Sequence, residues 1–436
     1  MDGMAGTAVL TLVIFAVTVA AWMFGRLDDT FVGLVSALTL VFAGVIHRDE
    51  LFGALGGDTI WLLIAAFVIA QGLAATGLPE RLGAALIARA RTVRQLAHLV
   101  TAGLVLTALA VPATSGRAAL ALPVFMALAG ALKDRPTVVR ALALLMPSVI
   151  LLSAIATLIG AGAHLITSQL LTGLTGAGIG FGQWLLLGLP FAVISSHLCA
   201  EVVVLLMTSR ADRRAPMPRV ELDRQPFTGA QKRVTVVLIL VIGLWCTGFL
   251  NPALVALGGA VVITSPRVGT IGMSAALAKV PWSLLLFMAS TAVIGTALSH
   301  SGAAQWLGHA AFGGAAGNAV LLLVTVVLVS AAAHLVLQSR SARSAVLVPL
   351  VIPVAVATGL NPAALAFAST AAAGFCHTLP SSAKPVAMFA AAEDVPTYRK
   401  RDLLRLSCVL GPLVAALVVA FALFVWPMLG LPMEVS

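Results

Sequence analysis

Two stretches about half the chain apart share one pattern: ATSGRAALALP at residues 113–123 and SRSARSAVLVP at residues 339–349. Aligned on their last proline, both read serine, small residue, arginine, small residue, alanine, three apolar residues and proline. Each stretch lies in a long apolar region, where an arginine costs about 2.5–3.5 kcal/mol on insertion scales. Irregular backbone is tolerated at membrane depth only inside protein or beside a water-filled cavity. The pattern therefore predicts two buried hairpin tips, the first tip at 113–117 and the second tip at 339–343.

The composition indicates a protein that crosses a membrane many times. Of 436 residues, 60% are hydrophobic and 10% are charged, whereas a soluble domain has about 25% charged residues. The net charge of +10 comes from basic residues in short loops between apolar segments. This is the pattern of cytoplasmic loops and does not indicate a nucleic-acid partner. We expect a multi-pass protein of the inner (plasma) membrane.

The apolar segments divide into two repeats joined by a basic linker. Each repeat is predicted to contain scaffold helices, a re-entrant hairpin and a broken helix. The predicted ranges are 1–209 for the first repeat, with its hairpin at 96–131 and broken helix at 139–175; 210–233 for the cytoplasmic linker; and 234–436 for the second repeat, with its hairpin at 318–355 and broken helix at 363–391.

Five crossings per repeat make the second repeat upside down relative to the first. The sequence thus predicts an all-α polytopic membrane protein built from two inverted repeats of five transmembrane helices. Inverted repeats with broken helices at the midplane are typical of secondary transporters.

The candidate site combines the two tips with the interruptions of the two broken helices. Guanidinium groups bind carboxylate or sulfate through paired hydrogen bonds, and helix N-termini add positive dipole ends. We expect Arg117 and Arg343 to hold a multi-oxygen anion between them, with Ser115 and Ser341 as hydroxyl donors. The predicted substrate-binding residues are Ser115, Gly116, Arg117, Thr157, His164, Ser339, Arg340, Ser341, Arg343, Pro380, Ser381 and Lys384.

Simpler interpretations of these residues remain open. An arginine could instead pair with a carboxylate, for which Glu201 is the main intramembrane candidate, or bind backbone carbonyl groups. His164 and His377 lie in the two interruptions and could be packing residues or proton carriers. Glu201 itself could be a proton site or a salt-bridge partner.

In the order of its tips and interruptions, the chain resembles the divalent anion/sodium symporter family of the ion-transporter superfamily. That family carries a Ser-Asn-Thr-Ala-Thr motif before a proline on each tip, and the matching positions here are 113–117 and 339–343. Its two interruption motifs are similar to residues 157–164 and 379–387. The resemblance implies a homodimer, an elevator-type movement of a transport domain, and di- or tricarboxylate or sulfate substrates, often with sodium.

The tips depart from the family at its sodium-binding positions. Thr114 and Arg340 stand where the family has asparagines, and arginines replace both terminal threonines. Because a fixed cation repels sodium, we expect transport without a strict sodium requirement, and the coupling ion could be H⁺ or Na⁺.

The function expected from these observations is secondary active transport of a small anion by a protein that uses no cofactor or bound metal. Its expected partners are that anion and the lipid bilayer. One alternative is an efflux permease for an oxyanion or a small drug. Another is an intramembrane enzyme, but the sequence has no HExxH, GxSxG or GxxxxGK[ST] motif, and we do not expect catalysis.

Overall fold

The helices of the computed structural model show an all-α membrane protein. The structure describes residues 6–24, 27–216, 226–315, 317–379 and 382–434. Within them there is no β-strand, and ten helical segments are long and apolar enough to cross a membrane. The helices before the linker are α1 (Gly6–Phe24), α2 (Asp29–Phe42), α3 (Arg48–Gly56), α4 (Asp58–Ala74), α5 (Leu78–Ile87), α6 (Val93–Ala110), α7 (Thr114–Ala131), α8 (Pro136–Ser153), α9 (Gly162–Thr175), α10 (Phe181–Met207) and α11 (Arg210–Arg214).

The helices of the second half follow a similar order. They are α12 (Gly229–Thr247), α13 (Pro252–Thr264), α14 (Met273–Leu277), α15 (Trp282–His300), α16 (Ala303–Phe312), α17 (Ala319–Ala332), α18 (Arg340–Ala357), α19 (Pro362–Ala372), α20 (Lys384–Ala390) and α21 (Lys400–Ala420). The predicted all-α, many-span fold is confirmed. The division into repeats and the inversion of the second repeat stay predictions.

Both predicted tips are places where a helix starts. Pro112 has no N–H group to continue α6, and Ala113 takes φ 62°, a region that favours glycine. The Ala113 N–H donates to the Ile159 carbonyl oxygen over 3.3 Å, which attaches the first tip to the interruption after α8. In the second tip, the Ser339 hydroxyl accepts from the N–H of Ala342 over 3.3 Å and caps α18.

Two segments outside the long helices lie within the predicted broken-helix ranges. In the first break, residues 154–161, two single-turn 3₁₀ helices separate α8 from α9. In the second break, residues 373–383, α19 has ended and α20 has not begun. Pro380 and Ser381 of this break lie outside the described residues.

The first break is buried beneath α10. The Trp184 indole N–H donates to the carbonyl oxygen of Ile155 over 3.0 Å. Gly188, one turn further along α10, lies against the same carbonyl: a Cβ atom built on Gly188 would be 2.0 Å from that oxygen. Absence of a side chain at Gly188 therefore allows α10 to pack directly on backbone that has left the helix.

We expect Gly188→Ala to destabilise the protein, because the methyl group would overlap a backbone atom that cannot rotate away. Overpacking of this kind costs about 1–3 kcal/mol. Gly243→Ala in α12 is the matched control, since its Cβ would meet nothing within 4 Å. That change should be neutral or stabilising, because alanine is favoured over glycine in helices by about 0.5–1 kcal/mol. Thermal unfolding of the two purified variants measures both effects, and equal melting temperatures would contradict the packing described.

Candidate anion-binding cavity

A cavity of about 370 Å³ lies where the two tips and the two breaks meet. One wall is formed by the starts of α7, α9, α18 and α20. The facing wall is formed by the start of α2 and by the first turns of α15. The polar residues on these walls are Asp28, Asp29, Thr30, Thr114, Ser115, Ser283, Gln338, Ser339, Arg340, Ser341, Arg343, Cys376 and Lys384.

Three long helices direct their N-termini toward this cavity. The residues before α7 and α9 are Ala113 and Ala161, and neither supplies a side-chain cap to its helix. The first N–H groups of a helix have no partner within the helix, and they carry the positive end of its dipole. Ala113, Ala161 and the start of α18 all line the cavity. The backbone alone therefore makes this region favourable for a negative charge.

Arg343 brings an incompletely paired guanidinium group to the same place. Its side chain is fully buried. Its Nη1 donates to the carbonyl oxygen of Phe375 over 3.2 Å, but its Nε and Nη2 have no hydrogen-bond partner in the described part of the chain. Buried donors that stay unpaired are costly. Both nitrogens are buried as well as unpaired, so a small movement of the side chain would be needed for an oxygen-rich ligand in the cavity to bind them.

Arg340 joins the second tip to the first half of the chain. Its Nη1 donates to the carbonyl oxygen of Leu151 over 3.1 Å, and its Nη2 lies 3.2 Å from Nε2 of His164. A Cβ atom on Gly374 would come within 2.8 Å of this Nη2. The glycine thus makes room for the guanidinium, whose Nε still has no partner among the described residues.

The hydrogen bond between Arg340 and His164 fixes the tautomer of the His164 ring. Because the Arg340 guanidinium can only donate, Nε2 of His164 must accept and Nδ1 must carry the proton. Nδ1 lies 2.9 Å from the carbonyl oxygen of Thr157 and donates to it. A second proton on Nε2 would face the Arg340 N–H directly. His164 is therefore a neutral, fully bonded bridge in this conformation.

The other break histidine, His377, is also bonded on both nitrogens. Its Nε2 lies 3.3 Å from the carbonyl oxygen of Ser148, and its Nδ1 accepts from the backbone N–H of Cys376 over 3.3 Å. The ring is fully buried. This geometry matches the packing interpretation of His377.

Arg117 is not in the cavity. Its Nε donates to the Thr107 hydroxyl over 3.0 Å and its Nη1 to the Ile150 carbonyl over 3.0 Å. Its Nη2 donates to the Leu104 carbonyl and the Ser153 hydroxyl, both over 2.6 Å. The expectation that Arg117 and Arg343 face each other across one cavity is wrong, because helices α6 and α8 offer Arg117 acceptors that satisfy it within the protein.

The remaining predicted residues divide into two groups. Thr157 is buried and donates to the Ala108 carbonyl oxygen over 2.9 Å, and Gly116 is outside the cavity lining. The residues that line the cavity are Ser115, Ser339, Arg340, Ser341, Arg343 and Lys384.

The sequence interpretation missed the acidic part of the cavity. Asp28 and Asp29 lie on the wall that faces the second tip. Asp28 caps α2, because its Oδ1 accepts from the N–H groups of Thr30 and Phe31 over 2.9 and 3.2 Å. An aspartate pair directly before an apolar span could have indicated this cap, but its distance in sequence from the tips hid its place in the cavity.

Glu201 is a salt-bridge partner away from the cavity. Its Oε1 lies 2.8 Å from Nε of Arg94 and 2.6 Å from Nε2 of His98. His98 in turn contacts His197, with 2.8 Å between their Nδ1 atoms. The cluster ties α6 to α10, and in the described part of the chain Glu201 pairs with none of the tip arginines.

This many-span fold, with a cationic cavity among interrupted helices, defines the class of membrane transporters. The sequence profile described as citrate transporter matches residues 19–372. Because this match covers most of the chain, the protein belongs to the citrate transporter family.

A relative and two solved structures are similar to this chain. A membrane protein of Cupriavidus necator is 26% identical over 308 residues, which cover 67% of this chain and only 60% of that protein's length. The YdaH transporter of Alcanivorax borkumensis has a TM-score of 0.56 at 15% identity, covering 99% of this chain and 100% of that one. MtrF of Neisseria gonorrhoeae, described with a class of antimetabolite efflux pumps, has a TM-score of 0.60 at 15% identity, covering 100% and 98%. At this identity the two structures show the fold alone.

We expect Arg117→Gln and Arg343→Gln to have opposite effects on the empty protein. Arg117→Gln removes charged hydrogen bonds to acceptors that stay buried and should destabilise the fold by about 3 kcal/mol. Arg343→Gln removes a buried charge for which the described residues supply only one acceptor, and it should leave the melting temperature unchanged or raised. Thermal unfolding without added anion tests both. Equal destabilisation by the two changes would contradict the separation of roles.

Proposed function

We propose that the protein is a secondary active transporter of a small anion with several oxygen atoms, of the di- or tricarboxylate or sulfate class. The observation that carries the proposal is the buried Arg343 guanidinium, of which two nitrogens have no hydrogen-bond partner among the described residues, at a cavity lined by the N-termini of α7, α9 and α18. An anion would satisfy both the arginine and the uncapped helix ends. Membership of the citrate transporter family supports the carboxylate members of this class.

The size and charge of the cavity support the same ligand class. Small-molecule sites have volumes of about 300–1,000 Å³, and this cavity has about 370 Å³. Arg340, Arg343 and Lys384 contribute cationic side chains, against the carboxylates of Asp28 and Asp29. The three cationic side chains outnumber the two carboxylates by one, so the lining has a net positive charge. A carboxylate or sulfate can take paired hydrogen bonds from a guanidinium such as that of Arg343.

We propose further that transport needs no sodium. Hard cations are bound by several oxygen ligands, whereas the second tip places the Arg340 guanidinium at the position where the divalent anion/sodium symporters have a sodium-binding asparagine. Arg340 is anchored by Leu151 and His164, so its charge is a permanent part of the site. A fixed cation of this kind would supply the positive charge that other transporters take from the ion.

The proposal also includes an elevator-type movement, a homodimeric assembly and a location in the inner membrane. The cavity lies between two walls, one made by the tips and breaks and the other by α2 and α15. An elevator-type shift would slide the first wall along the second and expose the anion on alternate sides of the inner membrane. The homodimer implied by the family resemblance would anchor the α2 and α15 wall.

An efflux permease is the second candidate function. The MtrF structure, described with antimetabolite efflux pumps, shares this fold. The proposed site can bind an anion in either case, and only the direction of net flux separates the two.

Transport by purified protein in proteoliposomes tests the proposal. Labelled citrate, succinate and sulfate are supplied on either side, with sodium replaced by potassium and the pH gradient varied independently. We expect saturable transport of at least one anion without sodium. We also expect Arg343→Gln to lower it by about 100-fold, as for loss of a charged contact worth about 3 kcal/mol.

Arg405→Gln, at an exposed basic residue of α21, is the control and should transport normally. Absence of transport and of binding for all three anions would refute the proposed substrate class. A strict sodium requirement with every anion would refute only the sodium-free mechanism.

A further inference from the structure

A second cavity, of about 310 Å³, has different chemistry from the first. It lies between α5, the two helices of the first hairpin and α12. Its lining is apolar except at a few positions, and representative lining residues are Leu82, Leu99, Leu106, Leu238 and Ile239. An apolar cavity of this size in a folded chain calls for an apolar occupant, since interiors are normally close-packed.

The mouth of this apolar cavity opens onto the outer apolar surface of the protein. Leu82, Leu106 and Ile239 all line the cavity, yet they are 48%, 58% and 64% exposed. Val236 and Leu240, also on α12, are exposed but do not line the cavity. In a chain that crosses the membrane, exposed side chains of this kind along spanning helices border lipid hydrocarbon. The cavity is therefore accessible from the lipid side.

The polar groups in its lining are already bonded within the protein. Each guanidinium nitrogen of Arg117 donates to α6 or α8, as described above. The Thr107 hydroxyl donates to Leu104 and accepts from Arg117, and the Thr235 hydroxyl donates to Gln231 over 2.8 Å. A polar ligand or a water molecule would find few groups to bind, because ordered water needs several polar partners.

The helices around the apolar cavity pack in two groups, and a molecule in the cavity would lie between these groups. Helix α5 packs on both α6 and α7, whereas α12 packs mainly on α13, α10 and α4. The cavity thus lies along a seam between the first hairpin and α12. Hydrocarbon in this seam would supply the dispersion contacts that the void lacks without joining the two sides by directed bonds.

We propose that the apolar cavity is a binding site for one acyl chain of a membrane phospholipid, which enters sideways from the bilayer and fills the seam between α12 and the first hairpin. The inference does not depend on the anion site. It requires only the membrane fold, the apolar lining and the lateral opening.

Phospholipid retained by the purified protein tests this site. After an extensive detergent wash, native mass spectrometry should detect one phospholipid bound to each wild-type chain. Leu238→Trp places an indole in the cavity and should lower this occupancy about tenfold, which corresponds to about 1.4 kcal/mol. Leu240→Trp is the matched control, because residue 240 lies two positions along the same helix, faces outward and does not line the cavity. Its occupancy should equal that of the wild type.

A second measurement does not depend on the fold of a variant. Wild-type protein in nanodiscs is photolysed with a phospholipid that carries a diazirine at mid-chain, and the protein is then washed and digested. We expect cross-links on the cavity-facing parts of α6 and α12, around Leu99 and Leu238, which the cavity makes accessible. Equal lipid retention by the two tryptophan variants, or cross-links confined to the outward positions, would overturn the proposal. A change of oligomeric state in Leu238→Trp without loss of lipid would instead assign the cavity to a second copy of the chain.

Discussion

A chain of hydrogen bonds at the centre of the protein joins the second tip to the first hairpin. The Arg340 guanidinium donates to His164, the other nitrogen of His164 donates to the Thr157 carbonyl, and the Thr157 hydroxyl donates to the carbonyl of Ala108 in α6. Each member is buried or partly buried, where an unmade hydrogen bond is costly. Since the members come from both halves of the chain, this relay holds the second tip, the first break and the first hairpin together on one side of the anion cavity.

The two arginines of the repeated pattern illustrate how environment decides the role of a residue. Arg117 and Arg343 occupy matching positions before Pro123 and Pro349, and both are buried. Acceptors from α6 and α8 satisfy every nitrogen of Arg117, which makes it a structural clamp. Arg343 donates to one carbonyl, and two of its nitrogens have no partner within the described part of the chain. A repeated sequence has therefore produced two different chemical environments.

The two cavities also differ in the chemistry of their linings. The anion cavity collects helix N-termini, hydroxyl groups and unpaired guanidinium nitrogens, whereas the apolar cavity is lined by aliphatic side chains around bonded polar groups. Arg117 lines the apolar cavity but not the anion cavity, and its nitrogens bond to α6 and α8. In the proposed transport cycle, one region would bind the anion and the other would remain a lipid-filled seam between packed helices.

Composition and local pattern by themselves determined the all-α membrane fold and the places where helices stop. Apolar segments must form helices because the bilayer offers no hydrogen bonds to free backbone groups, and Pro112, Ser339 and the glycines near residue 162 interrupt or start them locally. Those signals act within a few residues and are readable from the sequence. The partners of Arg117 lie up to 36 residues away and that of Arg340 in α8 lies 189 residues away. Only the tertiary structure could decide which arginine has all its nitrogens hydrogen-bonded and which does not. The acceptors come from helices that the sequence alone does not place beside each other.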